Sequence, residues 1–260
     1  MSERTSYVHG TPSWVDLSTV DPSASKSFYS ALFGWEWDEN PTEQGSSYFM
    51  AQLGGKAVAG MMQQPAEQTE MGIPSMWNTY VTVADIDATL AKVNSVGGSV
   101  MMPKMQVMES GQMAVVVDPT GAVICLWQAG DHIGAELVNQ QGTLAWNELQ
   151  TSDVGAATTF YKELFGWNCQ VMDMGMGDYT IFELGEEGVC GAMNPPMEGI
   201  PAHWSTVFAV DDCNGTVETA NSSGGSVVAE PFDIPIGRIA VLADPAGAVF
   251  QIIQMTAESP

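Results

Sequence analysis

The feature that most constrains this chain is an internal repeat. Residues 28–35 are Phe-Tyr-Ser-Ala-Leu-Phe-Gly-Trp and residues 160–167 are Phe-Tyr-Lys-Glu-Leu-Phe-Gly-Trp, so six of eight positions are identical. Each copy has the pattern of an amphipathic helix end, in which apolar residues share one face and glycine ends the helix. The tryptophan then begins the next strand. A motif that returns at such a distance predicts two copies of one structural unit.

Four further matches follow in the same order along the two halves. They pair residues 12–17 with 143–149, 74–79 with 201–206, 97–100 with 224–227, and 118–123 with 244–249. Matches in this order indicate a gene-internal duplication and predict two homologous domains. We place the first domain at 12–128 and the second at 143–255. A polar N-terminal arm, 1–11, is expected to be loose, and residues 129–142 form a linker.

Each half contains the order strand, helix and three strands twice over. Asp21, Asp85, Asp153 and Asp212 each precede a helical pattern and are predicted N-caps, and Pro22 suits the first helical position. The predicted helices span residues 21–33, 86–96, 153–165 and 212–223. Predicted strands are 13–20, 35–39, 47–53, 56–62, 77–83, 99–102, 112–117, 122–128, 144–150, 167–172, 179–184, 188–193, 204–210, 226–229, 238–243 and 248–254. The predicted fold is α+β, with four βαβββ modules.

The charge of the chain excludes some classes of partner. With 31 acidic and 7 basic residues, the formal net charge is −24. Nucleic acids and anionic membranes require a basic face, so neither is an expected partner. No apolar run approaches the ~20 residues of a membrane helix, and the N-terminus lacks a signal pattern. We therefore expect a cytoplasmic protein whose four cysteines, none in a CxxC motif, are free thiols.

A family resemblance rests on three features of the sequence. These are the repeated helix ends, the four aspartates that begin helices, and the Asp-Pro-x-Gly turns at 118–121 and 244–247. The chain resembles the vicinal oxygen chelate superfamily of glyoxalases, bleomycin-resistance proteins and extradiol dioxygenases. Segments 10–17, 76–80 and 132–135 resemble a tandem-domain actinobacterial subgroup known as 27 kDa antigens or glyoxylases. The resemblance implies that each half folds as two modules whose sheet wraps a cleft. One chain would then supply both domains, which is compatible with a monomer.

The resemblance also implies positions for the metal ligands of the family's enzymes. The first ligand is usually a histidine seven residues before the helix-starting aspartate, and a carboxylate follows the Asp-Pro-x-Gly turn. The residues at these positions are Trp14, Asn78, Cys125, Trp146, Ser205 and Gln251. An indole N–H is only a donor and cannot ligate. We therefore predict no cofactor, because the residues do not support the divalent ion of the family.

Strand alternation brings other polar residues to the same faces. The predicted ligand-binding residues are Trp14, Asp16, Asn78, Tyr80, Cys125, Trp146, Gln150, Ser205 and Gln251. In the second domain Glu148 and His203 are expected near each other, and an acid and an imidazole in an apolar pocket are candidates for acid–base catalysis. The alternative is that both are satisfied structural polar groups and that the tryptophans are core residues. His9 and His132, in the arm and linker, receive no predicted role in a site.

Three hypotheses for function follow from these residues. The first is a metal-independent protein that binds a small organic molecule between tryptophan walls. The second is a glyoxalase-like lyase or isomerase that uses Glu148 and His203. The third is a non-catalytic interaction protein whose clefts are filled and whose acidic surface meets a partner.

Overall fold

A computed structural model describes residues 3–42, 45–173 and 177–256, and it confirms four βαβββ modules in two domains. The helices are α1 (Pro22–Phe33), α2 (Ala66–Glu70), α3 (Ile86–Val93), α4 (Val154–Phe165) and α5 (Cys213–Ser222). The strands of domain 1 are β1 (Pro12–Thr19), β2 (Glu36–Pro41), β3 (Ser47–Leu53), β4 (Lys56–Gln63), β5 (Met76–Thr82), β6 (Ser99–Val107), β7 (Gly111–Val117) and β8 (Val123–Ala129). Those of domain 2 are β9 (Leu144–Gln150), β10 (Asn168–Asp173), β11 (Asp178–Leu184), β12 (Glu187–Met193), β13 (His203–Ala209), β14 (Ser226–Ile234), β15 (Gly237–Ala243) and β16 (Val249–Met255). Residues 1–2 of the predicted arm and 174–176 of the predicted second domain lie outside the described residues.

Each domain is built on one eight-stranded sheet. The strand order is β2-β3-β4-β1-β5-β8-β7-β6 in domain 1 and β10-β11-β12-β9-β13-β16-β15-β14 in domain 2. The first strands of the two modules, β1 and β5 or β9 and β13, are antiparallel neighbours at the centre of the sheet. Each pairs in parallel with the last strand of its own module. Residues of the two central strands therefore lie side by side on the same face of the sheet.

The predicted caps fix where the main helices begin and end. The carboxylate of each of the four predicted aspartates accepts a hydrogen bond from the backbone N–H three residues later. Gly34 and Gly166 end α1 and α4 with φ of 74° and 77°, a left-handed conformation that disfavours other residues. The chain then turns into β2 or β10, so the repeated Gly-Trp pair is the helix-to-strand corner of each domain.

Two edge strands are longer than the sequence predicted. Strands β6 and β14 were expected to end at 102 and 229, but they continue to Val107 and Ile234. Both pass through a proline, Pro103 or Pro231, where the register with the neighbouring strand shifts. Proline has no backbone N–H to donate. It is tolerated there because one side of an edge strand is unpaired and a bulge interrupts the ladder of hydrogen bonds. The connection between β4 and β5 also contains the short helix α2.

The cores form between domains as well as within them. One apolar cluster joins the first module to the fourth, and Phe28 of α1 lies 6.1 Å from Phe250 of β16 between ring centroids. Phe33 lies 5.1 Å from Phe208 of β13 in the same cluster. The second cluster joins the second module to the third around the fully buried Phe160. The helix face of each sheet is therefore buried against the other domain.

The sequence suggested a loose N-terminal arm. In the structure, the arm is instead docked on the linker. The backbone N–H of Arg4 donates to the carbonyl of Glu136 at 2.8 Å, and the Tyr7 hydroxyl donates to the carbonyl of Ala135 at 2.6 Å. Glu3 also forms an isolated β-bridge with Leu137. These long-range hydrogen bonds are not visible as a local sequence pattern. Among the described helices, none has the length and apolar character needed to cross a membrane.

Candidate functional site

The sheet face that points away from the helices carries the predicted site residues, and we call it the cleft face. In domain 1 its centre is the carboxylate of Asp16. Asn78 donates to Asp16 Oδ1 at 2.8 Å, while Tyr80 and Tyr48 donate their hydroxyls to Oδ2 at 2.7 and 3.2 Å. The indole N–H of Trp14 donates to the Tyr48 hydroxyl at 3.0 Å. The structure thus places three donors around one carboxylate, and a fourth polar group, the Trp14 indole, joins the network through Tyr48.

Burial controls the protonation of this network. Asp16 is only 2% exposed, and loss of solvent raises the pKa of its carboxyl, whereas its three donors act in the opposite direction. Burial also raises the pKa of Tyr48, of Tyr80 and of the Cys125 thiol. The tyrosines consequently remain donors, and Cys125 remains a protonated thiol rather than a nucleophile.

The linker covers Trp14 on the cleft face of domain 1. The ring of His132 meets Trp14 edge-on with 4.5 Å between centroids, and it lies 5.8 Å from Trp127, whose N–H donates to the His132 carbonyl. The following segment is held against β1, because Ala135 N–H donates to the carbonyl of Ser13 at 2.8 Å. Trp14 is consequently only 3% exposed. The linker therefore covers the tryptophan of the domain 1 network, whereas Tyr48 and Asn78 stay half-buried.

The equivalent network of domain 2 is centred on Glu148. Gln251 and Gln150 donate their amide N–H groups to Glu148 Oε1 at 3.1 and 3.2 Å. The Tyr179 hydroxyl is also hydrogen-bonded to Glu148 and accepts from the indole of Trp146 at 2.9 Å. Burial raises the pKa of Tyr179, so this hydroxyl is a donor to the carboxylate at neutral pH. Glu148 therefore occupies the place of Asp16. Two glutamine amides donate to Glu148, whereas Asn78 and Tyr80 donate to Asp16.

Domain 2 differs from domain 1 in how far its tryptophan is covered. Trp146 is half-buried, whereas Trp14 is buried, and among the described residues no aromatic ring packs on Trp146 as His132 packs on Trp14. Glu148 is 8% exposed. Ser205 accepts from Gln251 at 3.0 Å, which leaves the proton of its hydroxyl for another acceptor. The cleft face of domain 2 is therefore the more accessible candidate site.

The predicted pair of Glu148 and His203 is brought to one face without a direct hydrogen bond between the two. Strand register places Ser205 opposite Glu148, and His203 opposite Gln150. Nδ1 of His203 lies 2.9 Å from the carbonyl oxygen of Pro201. Glu148 instead uses its glutamine and tyrosine partners. Acid–base catalysis by this pair consequently stays a prediction.

Sequence reasoning identified Tyr80 but missed Tyr48, Tyr179 and the glycines that make room for these two. A Cβ atom on Gly60 would lie 1.9 Å from the Tyr48 hydroxyl oxygen, and one on Gly191 would lie 2.1 Å from that of Tyr179. Each tyrosine therefore lies directly over a glycine of the neighbouring strand. The signal was in the repeat, because the tyrosines and the glycines each occupy matching positions in the two halves. His132 was missed for a different reason, since the linker has no counterpart within the repeat.

The donor groups present do not fit the divalent ion that the family resemblance implies. The indole N–H groups of Trp14 and Trp146 are donors and are already directed at tyrosines. Asp16 already accepts three hydrogen bonds, and Cys125 holds its proton. Within the described parts of the chain, no three His, Cys, Asp or Glu side chains are grouped to hold a metal ion. The described side chains of the two cleft faces therefore do not form the ligand set of the family's metal enzymes.

Comparison with known proteins gives matches over the whole chain. The model of the Glyoxalase/Bleomycin resistance protein/Dioxygenase superfamily matches residues 11–126 and again 142–252. A Mycobacterium bovis protein named "Putative glyoxylase CFP32" is 48% identical over 257 residues, which cover 98% of each chain. "Anthracycline biosynthesis protein DnrV" of Streptomyces peucetius is 35% identical over 264 residues, or 96% of this chain and 95% of the relative.

Solved structures show the same fold at much lower sequence identity. The Mn(II)-bound glyoxalase from Novosphingobium aromaticivorans is similar with a TM-score of 0.64 at 14% identity, over 98% of this chain and 84% of that one. Homoprotocatechuate 2,3-dioxygenase from Brevibacterium fuscum is similar with a TM-score of 0.65 at 12% identity, over 100% and 86%. At these identities the likeness extends to the fold alone.

Proposed function

This chain belongs to the Glyoxalase/Bleomycin resistance protein/Dioxygenase superfamily, and from that membership we propose that it binds a small organic molecule on the cleft face of domain 2 without a metal. The observation that carries the proposal is the difference between the two halves. The same constellation of tryptophan, tyrosine and carboxylate occurs twice, and the linker covers the tryptophan of one copy while Trp146 of the other stays half-buried.

The chemistry of the domain 2 face suits a flat ligand with polar substituents. Apolar binding sites commonly combine aromatic walls with a few placed polar groups. Trp146 offers the aromatic surface, and the hydroxyl of Ser205 and the amide of Gln150 offer hydrogen bonds on the same face of the sheet. Because a relative of the chain is named for anthracycline biosynthesis, flat aromatic compounds are the first class to test.

The test is a titration of tryptophan fluorescence with a set of planar aromatic compounds. We expect saturable quenching that is lost in Trp146→Leu and kept in Trp37→Leu. Trp37 is a suitable control because it is also half-buried but donates to Ser30, on the helix-bearing side. The titration is repeated after dialysis against EDTA, with metal content measured by mass spectrometry. Affinity that disappears with the chelator, or quenching unaffected by Trp146→Leu, would contradict the proposal.

A second candidate is a glyoxalase-like lyase or isomerase. Two observations support it. The strand register places His203 and Glu148 in neighbouring cross-strand pairs on one face of the sheet, and a relative is named a glyoxylase. An acid and a base held this way suit proton transfer next to a carbonyl group. A lactoylglutathione lyase assay with wild type, Glu148→Gln and His203→Gln tests it. Equal background rates in all three proteins would exclude this role for the pair.

A further inference from the structure

Glu148 is a buried carboxylate without a cationic partner. Its partners are two glutamine amides and one tyrosine hydroxyl, all neutral. The ion pairs found within the described residues use Lys56, Lys104 and Arg238, and none includes Glu148. A buried charge normally requires a countercharge or a full set of hydrogen bonds. The site therefore has a negative group whose charge the protein itself does not balance.

The hydrogen bonds of Glu148 leave it able to accept one more donor. An ionised carboxylate has about four lone-pair sites, and three donors are already hydrogen-bonded to Glu148. A positively charged donor would gain more there than a neutral one, because charge-assisted hydrogen bonds are roughly twice as strong. The neighbouring indole of Trp146 acts in the same direction, since aromatic faces attract cations.

The charge of the whole molecule adds to this local preference. With a formal net charge of −24, the chain attracts cations and repels anions at long range. The equivalent carboxylate of domain 1, Asp16, is 2% exposed against 8% for Glu148, and the indole of that network, Trp14, is covered by His132. The two observations select domain 2 as the place where a cation can be bound.

From the uncompensated carboxylate beside a half-buried indole we infer that domain 2 selects small aromatic molecules that carry a protonated amine. The ammonium group hydrogen-bonds to Glu148, and the aromatic part packs against Trp146. This inference rests on the proposed function, because it names the chemical class of the ligand for the same site. It adds that a neutral or anionic analogue with the same ring system binds more weakly.

Three probes that differ in one substituent test the inference by isothermal titration calorimetry at pH 7. They are 1-naphthylmethylamine, 1-naphthalenemethanol and 1-naphthoate, which are cationic, neutral and anionic on one ring system. In the wild type we expect the amine to bind about tenfold or more tighter than the alcohol, and the carboxylate to bind weakest. In Glu148→Gln, the affinity for the amine falls to that for the alcohol, whose own affinity is unchanged.

The control is Glu218→Gln, which removes the same charge from an exposed position of α5 on the opposite side of the sheet. It should keep the preference for the amine, and thermal melts establish that both variants are folded. Equal affinities for the three probes in the wild type would overturn the inference and leave small-molecule binding intact. A preference that persists in Glu148→Gln would overturn it too. Failure of all three probes to bind would count against the proposed function itself.

Discussion

Tyr161 of domain 2 donates its hydroxyl to the Oδ2 atom of Asp118 of domain 1 at 2.9 Å, inside the core that the domains share. The same hydroxyl accepts the indole N–H of Trp204 at 2.9 Å. In the mirrored half of the molecule, Tyr29 is hydrogen-bonded to Asp244 and accepts from Trp77 at 3.0 Å. The most strongly repeated motifs therefore join the two domains, and the candidate site lies on the other side of each sheet.

We expect Tyr161→Phe to lower the free energy of unfolding by about 1–3 kcal/mol. The substitution leaves both a carboxylate oxygen and an indole N–H without their partner in a buried site. Urea unfolding measures the loss, and Tyr29→Phe should give a similar value because its environment is equivalent. A change below about 0.5 kcal/mol in both would show that water satisfies these groups.

The glycines beneath the site tyrosines should not tolerate a methyl group. Gly60→Ala and Gly191→Ala place a Cβ about 2 Å from a tyrosine oxygen, and we expect each to cost roughly 1–3 kcal/mol as the ring is displaced. Gly155→Ala is the control, because it lies in α4 with 3.6 Å to its nearest neighbour and should be neutral or stabilising. Equal stability of all three variants would mean that the tyrosines move freely.

A buried hydroxyl at Thr206 gives an asymmetric prediction. Thr79 donates to Asn147 at 2.9 Å, but Thr206, at the equivalent position in domain 2, has no hydrogen-bond partner for its Oγ1 atom among the described residues. Replacing the hydroxyl by a methyl group in Thr206→Val should stabilise the protein by about 1 kcal/mol, whereas Thr79→Val should destabilise it by a similar amount. Thermal unfolding of the two variants checks the opposite signs.

His132 should make the stability depend on pH. Burial lowers its pKa from 6.5 to about 4, while the negative charge of Glu136 acts in the opposite direction. Between these values the unfolded chain binds a proton that the folded chain does not, so the free energy of unfolding falls as the pH falls, by roughly 3 kcal/mol in total.

Removing the imidazole should remove that part of the pH dependence. His132→Phe keeps a ring against Trp14 and eliminates both the titration and the unpartnered Nε2 atom. Urea unfolding from pH 7 to pH 4.5 should show the variant losing less stability than the wild type. Parallel curves for the two proteins would mean that His132 is already charged or solvated in the folded state.

The sequence predicted local structure well because local structure depends on neighbouring residues. The aspartate caps, the Gly-Trp corners and the alternation that places Trp146 and Glu148 on one face all involve positions a few residues apart. The repeat then carried each prediction into the other half. The course of β6 and β14 through proline was missed because it depends on those strands lying at the sheet edge, which is a property of the whole sheet.

By itself, the sequence determined the duplication, the four modules and the residues that share each strand face. Only the tertiary structure decided which modules share a core, that Tyr48 and Tyr179 lie over glycines, and that His132 covers Trp14. These contacts join segments that are far apart in the chain and have no common period. The duplicated sites consequently look alike in sequence, and the difference between a covered tryptophan and a half-buried one arises because His132 of the linker packs on Trp14.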